Sequence, residues 1–420
     1  MKNRLHIISS PLTAAIATLA LASTPASAVI YYWDSNNSTA GAGTTPNGTW
    51  GSSAFWSTNA SGGNATANPT TTALDRLRFS AGTDAVGSYT VTVSGAQTAR
   101  QLSLEYGNIT FSGGTINLSS NATGSSSNVG AGIVLASTAG NATISSNLTI
   151  DGLQMLNIAA GKSLSLNPGS FTRNAGYSLN VLSTGTVTST MTGLNSGALV
   201  NGIVGPWATY GTGTSTRYAT FSGHNIAGLT GTSAATAADV TDTTGAVNYD
   251  LEAVGALGAD ASVNTLRYTG AAGTISGDLT TNGLLNAGTG LATLSGNITI
   301  GSTRELVVTP AAQSFTISGV LKDNALGASS LLVTQLSSPS QSLGLSLSNN
   351  NTYSGGTTVS NARLSITANN ALGTGAVSVL KGNVGNATFA GSIGDYGGVV
   401  EVSNNITWSN DMTLAGQGYN

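Results

Sequence analysis

Glycine and asparagine interrupt almost every stretch of this chain before two helical turns can form. What survives between them is a series of short runs alternating apolar residues with Ser, Thr or Asn. Such punctuation works against helix, because each internal Gly costs about 1 kcal/mol relative to Ala. Period-two alternation instead puts one apolar set on a single side of a strand. Tyr89-Thr90-Val91-Thr92-Val93, Asn108-Ile109-Thr110-Phe111, Thr115-Ile116-Asn117-Leu118 and Ala376-Val377-Ser378-Val379 all read this way. Strands so short support a sandwich poorly. They suit a solenoid, in which each strand pairs with its counterparts one coil above and one below.

Composition agrees. Charged residues are 7% of the chain, which alone would be compatible with polar disorder, but apolar residues reach 40% and come as strand-like alternations. There is no cysteine, so neither disulfide staples nor thiolate metal sites enter the reading. The pattern Asn-x-Thr-apolar recurs at Asn108, Asn141, Asn147, Asn297, Asn386 and Asn405. It matches a glycosylation acceptor. Read as structure, Asn supplies a turn, x and the apolar residue point inward, and Thr faces out; the regularity favours this second reading.

The first residues predict export. Lys2 and Arg4 precede a charge-free apolar run over residues 12–22, too short for the ~20 residues of a spanning helix. Ser23-Thr24-Pro25 then breaks the run, and Ala26-Ser27-Ala28 presents a small-x-small cleavage site. Cleavage after Ala28 would start the mature chain at Val29 and place it outside the cell or on the outer-membrane surface. Loss of Lys2 and Arg4 takes the formal charge from −3 to about −5, which argues against nucleic acid and anionic lipid as partners.

Along the chain the expected order is a signal peptide at 1–28, a Trp-rich cap at 29–75, coils at 76–200, an irregular aromatic island at 201–268, and coils again at 269–420. Trp33, Trp50 and Trp56 suit a plug over the first open edge, the alternative being an aromatic platform for carbohydrate.

One segment is more specific. Asn351-Thr352-Tyr353-Ser354-Gly355-Gly356-Thr357-Thr358-Val359-Ser360 is followed by Leu364-Ser365-Ile366. Asn370-Ala371-Leu372-Gly373-Thr374-Gly375-Ala376-Val377-Ser378-Val379 completes it. Residues 351–379 closely resemble the autotransporter-associated β-strand repeat, also called the passenger-associated transport repeat. A departure is Ala362-Arg363-Leu364, where that family often places glycine before the strand. Tyr32-Trp33-Asp34 and the stretch through Pro206-Trp207 are similar, less specifically, to surface proteins carrying the repeat. The resemblance implies an all-β, right-handed parallel β-helix secreted as a passenger, often with a C-terminal β-barrel translocator or another sorting signal. No such signal is visible by Asn420, so the chain reads as an N-terminal fragment that reaches a membrane only through a missing C-terminal region. Within the repeat, Gly355-Gly356 predicts a positive-φ turn, Tyr353 covers it, and Val359, Leu364, Ile366, Leu372, Val377 and Val379 point inward. Coils of about 20 residues stacked at ~4.8 Å would give a single rod of roughly 90 Å.

The search for chemistry finds little. His224 is the one histidine of the mature chain; it lies in a turn-like Ser222-Gly223-His224-Asn225, and there is no G-x-S-x-G elbow. Gly161-Lys162-Ser163 lacks the first glycine of a phosphate loop, where Leu156 stands. Asp34-Ser35-Asn36-Asn37-Ser38 lacks the third ligand and the glycine of an EF-hand. Carboxylate pairs at Asp239 with Asp242 and at Asp250 with Glu252 are the candidates for acid/base work on polysaccharide, the second pair sharing a strand face. No catalytic, cofactor or metal residue is assigned. The reading is a structural or adhesive surface protein and not an enzyme, with a carbohydrate or another surface protein as the partner classes left open. The alternatives are a polysaccharide-active β-helix enzyme and a passive stalk for a missing domain.

Overall fold

The computed structural model describes residues 28–120, 132–189, 199–335, 343–380, 397–403 and 406–415. The signal peptide and the Asn386 and Asn405 motifs lie outside them, apart from Ala28 and the residues from Ile406 on. Among the described residues no helix is long and apolar enough to cross a membrane. Helical structure among the described residues is two short 3-10 turns, Gly213–Ser215 and Ala237–Asp239.

The strands stack into a β-solenoid. Toward the N-terminus, a first face runs Ile30–Trp33, Arg76–Phe79, Gln101–Leu104, Gly132–Leu135, Gln154–Ile158, Leu179–Val181 and Ala208–Tyr210, each parallel to the next. Leu77, Leu102, Ile133, Leu156 and Val181 pair in one line along it. A second face runs Gly48–Trp50, Ser88–Val93, Asn108–Ser112, Ala142–Ile144, Ser163–Leu166 and Thr186–Thr188. A third holds Ala96–Ala99, Thr115–Ser119, Asn147–Asp151 and Phe171–Arg173. The strands expected from alternation are present, with inward residues such as Val91, Ile109, Phe111, Ile116 and Leu118 buried.

The Asn-x-Thr-apolar motif does what its structural reading requires. At Asn108, Asn141, Asn147 and Asn297 the x and apolar residues are buried and Thr is half-exposed. Each Asn side chain also reaches the next coil. Oδ1 of Asn108 accepts from Asn141 N at 2.9 Å, that of Asn141 from Ser163 N at 3.0 Å, that of Asn147 from Ser170 N at 2.9 Å, and that of Asn297 from Val320 N at 3.1 Å. Corner backbone donors that have no strand partner are satisfied in this way.

Both ends of this first solenoid are closed. Trp33, Trp50 and Trp56 are buried and pack edge-to-face, with Trp33 and Trp56 ring centroids 4.8 Å apart at 77°. Trp33 Nε1 donates to Pro46 O at 2.7 Å and Trp50 Nε1 to Thr71 Oγ1 at 3.2 Å. The three indoles plug the first edge; being buried, they offer no platform to a carbohydrate, and that alternative falls. At the far end the hairpin of Arg217–Ser222 and Asn225–Gly228 joins the first two faces by antiparallel pairing.

A second solenoid follows. Residues up to 228 of the 201–268 island close the first, and Thr232–Ala234, Asn248–Leu251 and Ala261–Tyr268 already pair in parallel. A broad face continues through Leu279–Asn286, Glu305–Thr309, Ser330–Thr334, Thr357–Ser360, Val377–Leu380 and Met412–Leu414. A narrow face runs from Gly255–Ala256 through Gly273–Ser276, Ala292–Leu294, Phe315–Ile317, Gly344–Leu347 and Arg363–Ile366 to Val399–Val402.

The single rod expected from sequence is replaced by two solenoids side by side. On the broad face Gly283, Val307, Leu332 and Thr358 form an outward column over four coils. Val307 and Leu332 are buried in the apolar cluster of the first solenoid, while Gly283 sits against Tyr218 and Pro206 and Thr358 faces Gly176. Glu305 takes a two-pronged ion pair from Arg173, Nη1–Oε2 2.7 Å and Nη2–Oε1 3.1 Å, and accepts Gly176 N at 2.9 Å. Ser178 and Thr334 share a hydrogen bond of 2.7 Å. The physical reason is apolar area: a column holding Val and Leu in place of Thr or Ser gains about 1.5–3 kcal/mol per side chain when covered.

Candidate functional site

The residues singled out from the sequence fall in different places. His224 is exposed in the tight turn of the closing hairpin, its Nδ1 3.0 Å from Ser189 O, and Gly223 beside it has φ 60°. Lys162 reaches back to Ala139 O of the preceding coil rather than framing an anion site. Asp239 caps a 3-10 turn by accepting Thr236 N at 2.8 Å and Thr236 Oγ1 at 2.9 Å. Asp242 accepts from Thr244 N, Thr244 Oγ1, Ala246 N and Val247 N. Burial raises its proton affinity, but these bonds outweigh it and hold the carboxyl below the usual range. Asp239 and Asp242 are therefore engaged in turns. Among the described residues no three His, Cys, Asp or Glu are grouped to hold a metal ion.

Asp250 and Glu252 do meet in one place. They line a cleft of about 550 Å³ where the closing hairpin joins the second solenoid, together with Arg217, Arg267, Ser233 and Thr269. Asp250 Oδ2 lies 3.1 Å from Arg217 Nη1, 3.4 Å from Arg267 Nη1 and 3.3 Å from Gly231 N. Arg267 is itself buried, donating through Nε to Thr216 O at 2.6 Å and through Nη2 to Thr214 O at 3.1 Å. Burial lowers the proton affinity of this guanidinium, and Asp250 works against the shift. Glu252 is exposed and accepts Ser233 Oγ at 3.0 Å. The pair shares a cleft, as the i, i+2 spacing predicted. The Arg217–Asp250–Arg267 bridge, however, ties hairpin to coil.

A regular feature lies on the open second face of the first solenoid. Thr90, Thr110, Thr143, Ser165 and Thr188 lie in register over five successive strands, each half-exposed. Ser165 and Thr188 are linked through their hydroxyls at 3.1 Å. Beside them Ser88 pairs with Asn108 and Ser163 with Thr186. No charged residue stands in either line, and the hydroxyls repeat at the ~4.8 Å strand spacing. The narrow face of the second solenoid repeats the device with Thr274, Thr293, Thr316, Ser346 and Ser365, ending on Glu401. A groove of about 370 Å³ beside this line includes Leu291, Gln313, Phe315 and Arg363. Sequence reading located Thr90, Thr110 and Thr143 as outward but not their alignment, which depends on register between coils.

The segment 351–379 holds the strands Thr357–Ser360, Arg363–Ile366 and Val377–Leu380. Tyr353 is buried and hydrogen-bonded to Thr357 Oγ1. Asn351 bridges coils, its Oδ1 accepting Leu321 N at 2.8 Å and its Nδ2 donating to Ala371 O at 2.6 Å. Gly356 has φ 93°, and the turn before the strand Arg363–Ile366, which lacks the expected glycine, is made by Asn361 at φ 51°. Comparison of the chain with family models, with curated proteins and with solved structures returns no match.

Proposed function

We propose that this chain is a structural and adhesive β-solenoid, exported through its N-terminal signal and displayed on or released from a bacterial surface in the manner of an autotransporter passenger. The observation that carries this reading is the uncharged hydroxyl line from Thr90 to Thr188, held rigid by five parallel strands. Such a face presents repeated donors and acceptors without the entropy cost of ordering loops. The signal features ending at Ala28 and the repeat-like segment 351–379 support export and passenger character. The function is contact, and catalysis is not part of it.

Expression with the native N-terminus should yield an exported protein beginning at Val29, and the purified chain should bind immobilised extracellular polysaccharide or surface protein. Replacing Thr110, Thr143 and Ser165 together by Lys should abolish binding while leaving the β circular-dichroism spectrum unchanged. Export without any binding would reduce the chain to a stalk, and retention in the cytoplasm would sink the reading. A polysaccharide-active enzyme is the second reading, favoured by the shared cleft of Asp250 and Glu252. Release of reducing ends that Glu252→Gln abolishes would put it first.

A further inference from the structure

One outward column on the narrow face of the second solenoid is uneven. Leu291, Ser314, Gly344 and Arg363 stand at the entries to four successive strands, Leu291 and Ser314 directly before the paired Ala292 and Phe315, and Gly344 opposite Arg363. Gly344 is buried and leaves bare backbone in the middle of the column; a Cβ there would fall 2.1 Å from Arg363 O. It forms part of the floor of the groove of about 370 Å³. Three strand spacings separate Leu291 from Arg363, so the column runs about 14 Å along the solenoid axis.

The groups around this floor are uncommitted. Leu291 is 43% exposed, a large apolar side chain in the open. The amide of Gln313 and the hydroxyls of Thr316 and Ser346 are half-exposed and enter no hydrogen bond among the described residues. Arg363 Nη1 lies 3.5 Å from Glu401 Oε2, the oxygen that Ser365 Oγ already meets at 3.0 Å, and the guanidinium stays 33% exposed.

Polar groups converging on an apolar patch in a groove of this size suit a small ligand. The chemistry narrows its class. All four strands under the groove are paired on both sides, so no backbone edge is free to take up an extended peptide. Arg363 is already offset by Glu401, and the chain as a whole carries a formal −3, so a polyanion is not drawn in. An amide, a guanidinium and hydroxyls repeating at ~4.8 Å match the donors and acceptors of a neutral polyol.

We propose that this groove binds a neutral oligosaccharide, with the C–H face of a sugar ring on Leu291 and sugar hydroxyls on Gln313, Thr316, Ser346 and Arg363. The site lies apart from the hydroxyl line of the first solenoid and deepens the contact function, on which the choice of an extracellular glycan rests. A single short groove lets a soluble oligosaccharide exchange freely, so capture on an immobilised polymer still depends on the first solenoid.

Saturation-transfer NMR on the full chain, with cellotetraose, maltotetraose and chitotetraose as probes and tetragalacturonate as the charged comparison, is the test. At least one neutral tetrasaccharide should receive saturation, and tetragalacturonate should not displace it. Leu291→Asp and Arg363→Gln should each weaken its affinity at least about tenfold. Replacing Thr110, Thr143 and Ser165 together by Lys should leave tetrasaccharide binding as it was. Binding lost in that triple variant but kept in Leu291→Asp would put the sugar on the first solenoid, overturning the groove while sparing the contact function. A chain retained in the cytoplasm that still binds through the groove would do the reverse. Should the variants fold poorly, the unaltered chain decides: no saturation of any neutral tetrasaccharide, or tighter binding of tetragalacturonate, overturns the proposal.

Discussion

The second face of the first solenoid and the broad face of the second are the same parallel ladder with opposite outer columns. One shows Thr110, Thr143 and Ser165 outward and stays open; the other shows Val307 and Leu332 and is covered. Inward residues make each stack a solenoid, and the outer column decides what that stack meets. Strands buried on both sides lose their alternation, and Leu306-Val307-Val308 and Leu331-Leu332-Val333 are such continuous runs. The most forceful way to break this comparison is to charge both columns. Leu332→Asp, which places a carboxylate among apolar groups, should lose more than about 4 kcal/mol in urea unfolding, against about 0.5 kcal/mol or less for Thr143→Asp. Equal midpoints for the two variants would show that the solenoids do not pack laterally in solution.

Glycine turns sharpen the same contrast on a smaller scale. Gly373 has φ 64°, and a Cβ there would fall 2.2 Å from Tyr353 O of the neighbouring turn. Gly202, at φ 81°, has nothing within 4 Å of such a Cβ. Gly202→Ala should cost about 1 kcal/mol from backbone conformation alone, and Gly373→Ala about 3 kcal/mol because the stacked coil must shift as well. Thermal unfolding of the two variants reads the difference, and equal costs would mean that the repeat turn is not stacked on its neighbour. The Arg173–Glu305 bridge is next. Glu305→Gln should cost about 1–3 kcal/mol. A double-mutant cycle with Arg173→Gln should return a coupling of about 1 kcal/mol or more, and a coupling near zero would remove the bridge from the contacts that hold the solenoids together.

Much of the fold was legible because it is local. Alternation located strands to within a residue or so, and Val359, Leu364, Ile366, Leu372, Val377 and Val379 are buried as read. The Asn turns were legible too, although their bond to the next coil was not. What escaped the sequence depends on register or on distance along the chain. Arg173 and Glu305 stand 132 positions apart, and nothing local marks them as partners. The shared face of Asp250 and Glu252 followed from strand periodicity, while Arg217 and Arg267, which bind Asp250, come from other strands.

The smallest expected effect compares two acids, Asp34 of the first solenoid and Asp323 of the second. Asp323 accepts Ser329 N at 2.7 Å, Ser354 N at 2.9 Å and Ser354 Oγ at 2.7 Å. Burial opposes ionisation there, but these bonds prevail and its carboxyl titrates below the usual range. Asp34 is shifted the other way, chiefly by burial. A depressed folded pKa contributes stability above the unfolded value of about 3.9 that is lost as pH falls through the folded pKa, so Asp323→Asn should destabilise at pH 7 and converge on the unaltered chain in strong acid. A raised folded pKa has the opposite sign: the ionised form lowers stability above the folded pKa, and the effect vanishes below about pH 3.9. Asp34→Asn should therefore raise the unfolding midpoint at pH 7 and leave it unchanged near pH 3. Urea midpoints for both variants at the two pH values decide the matter, and a shift of the same sign in both would mean that the two carboxylates occupy like surroundings.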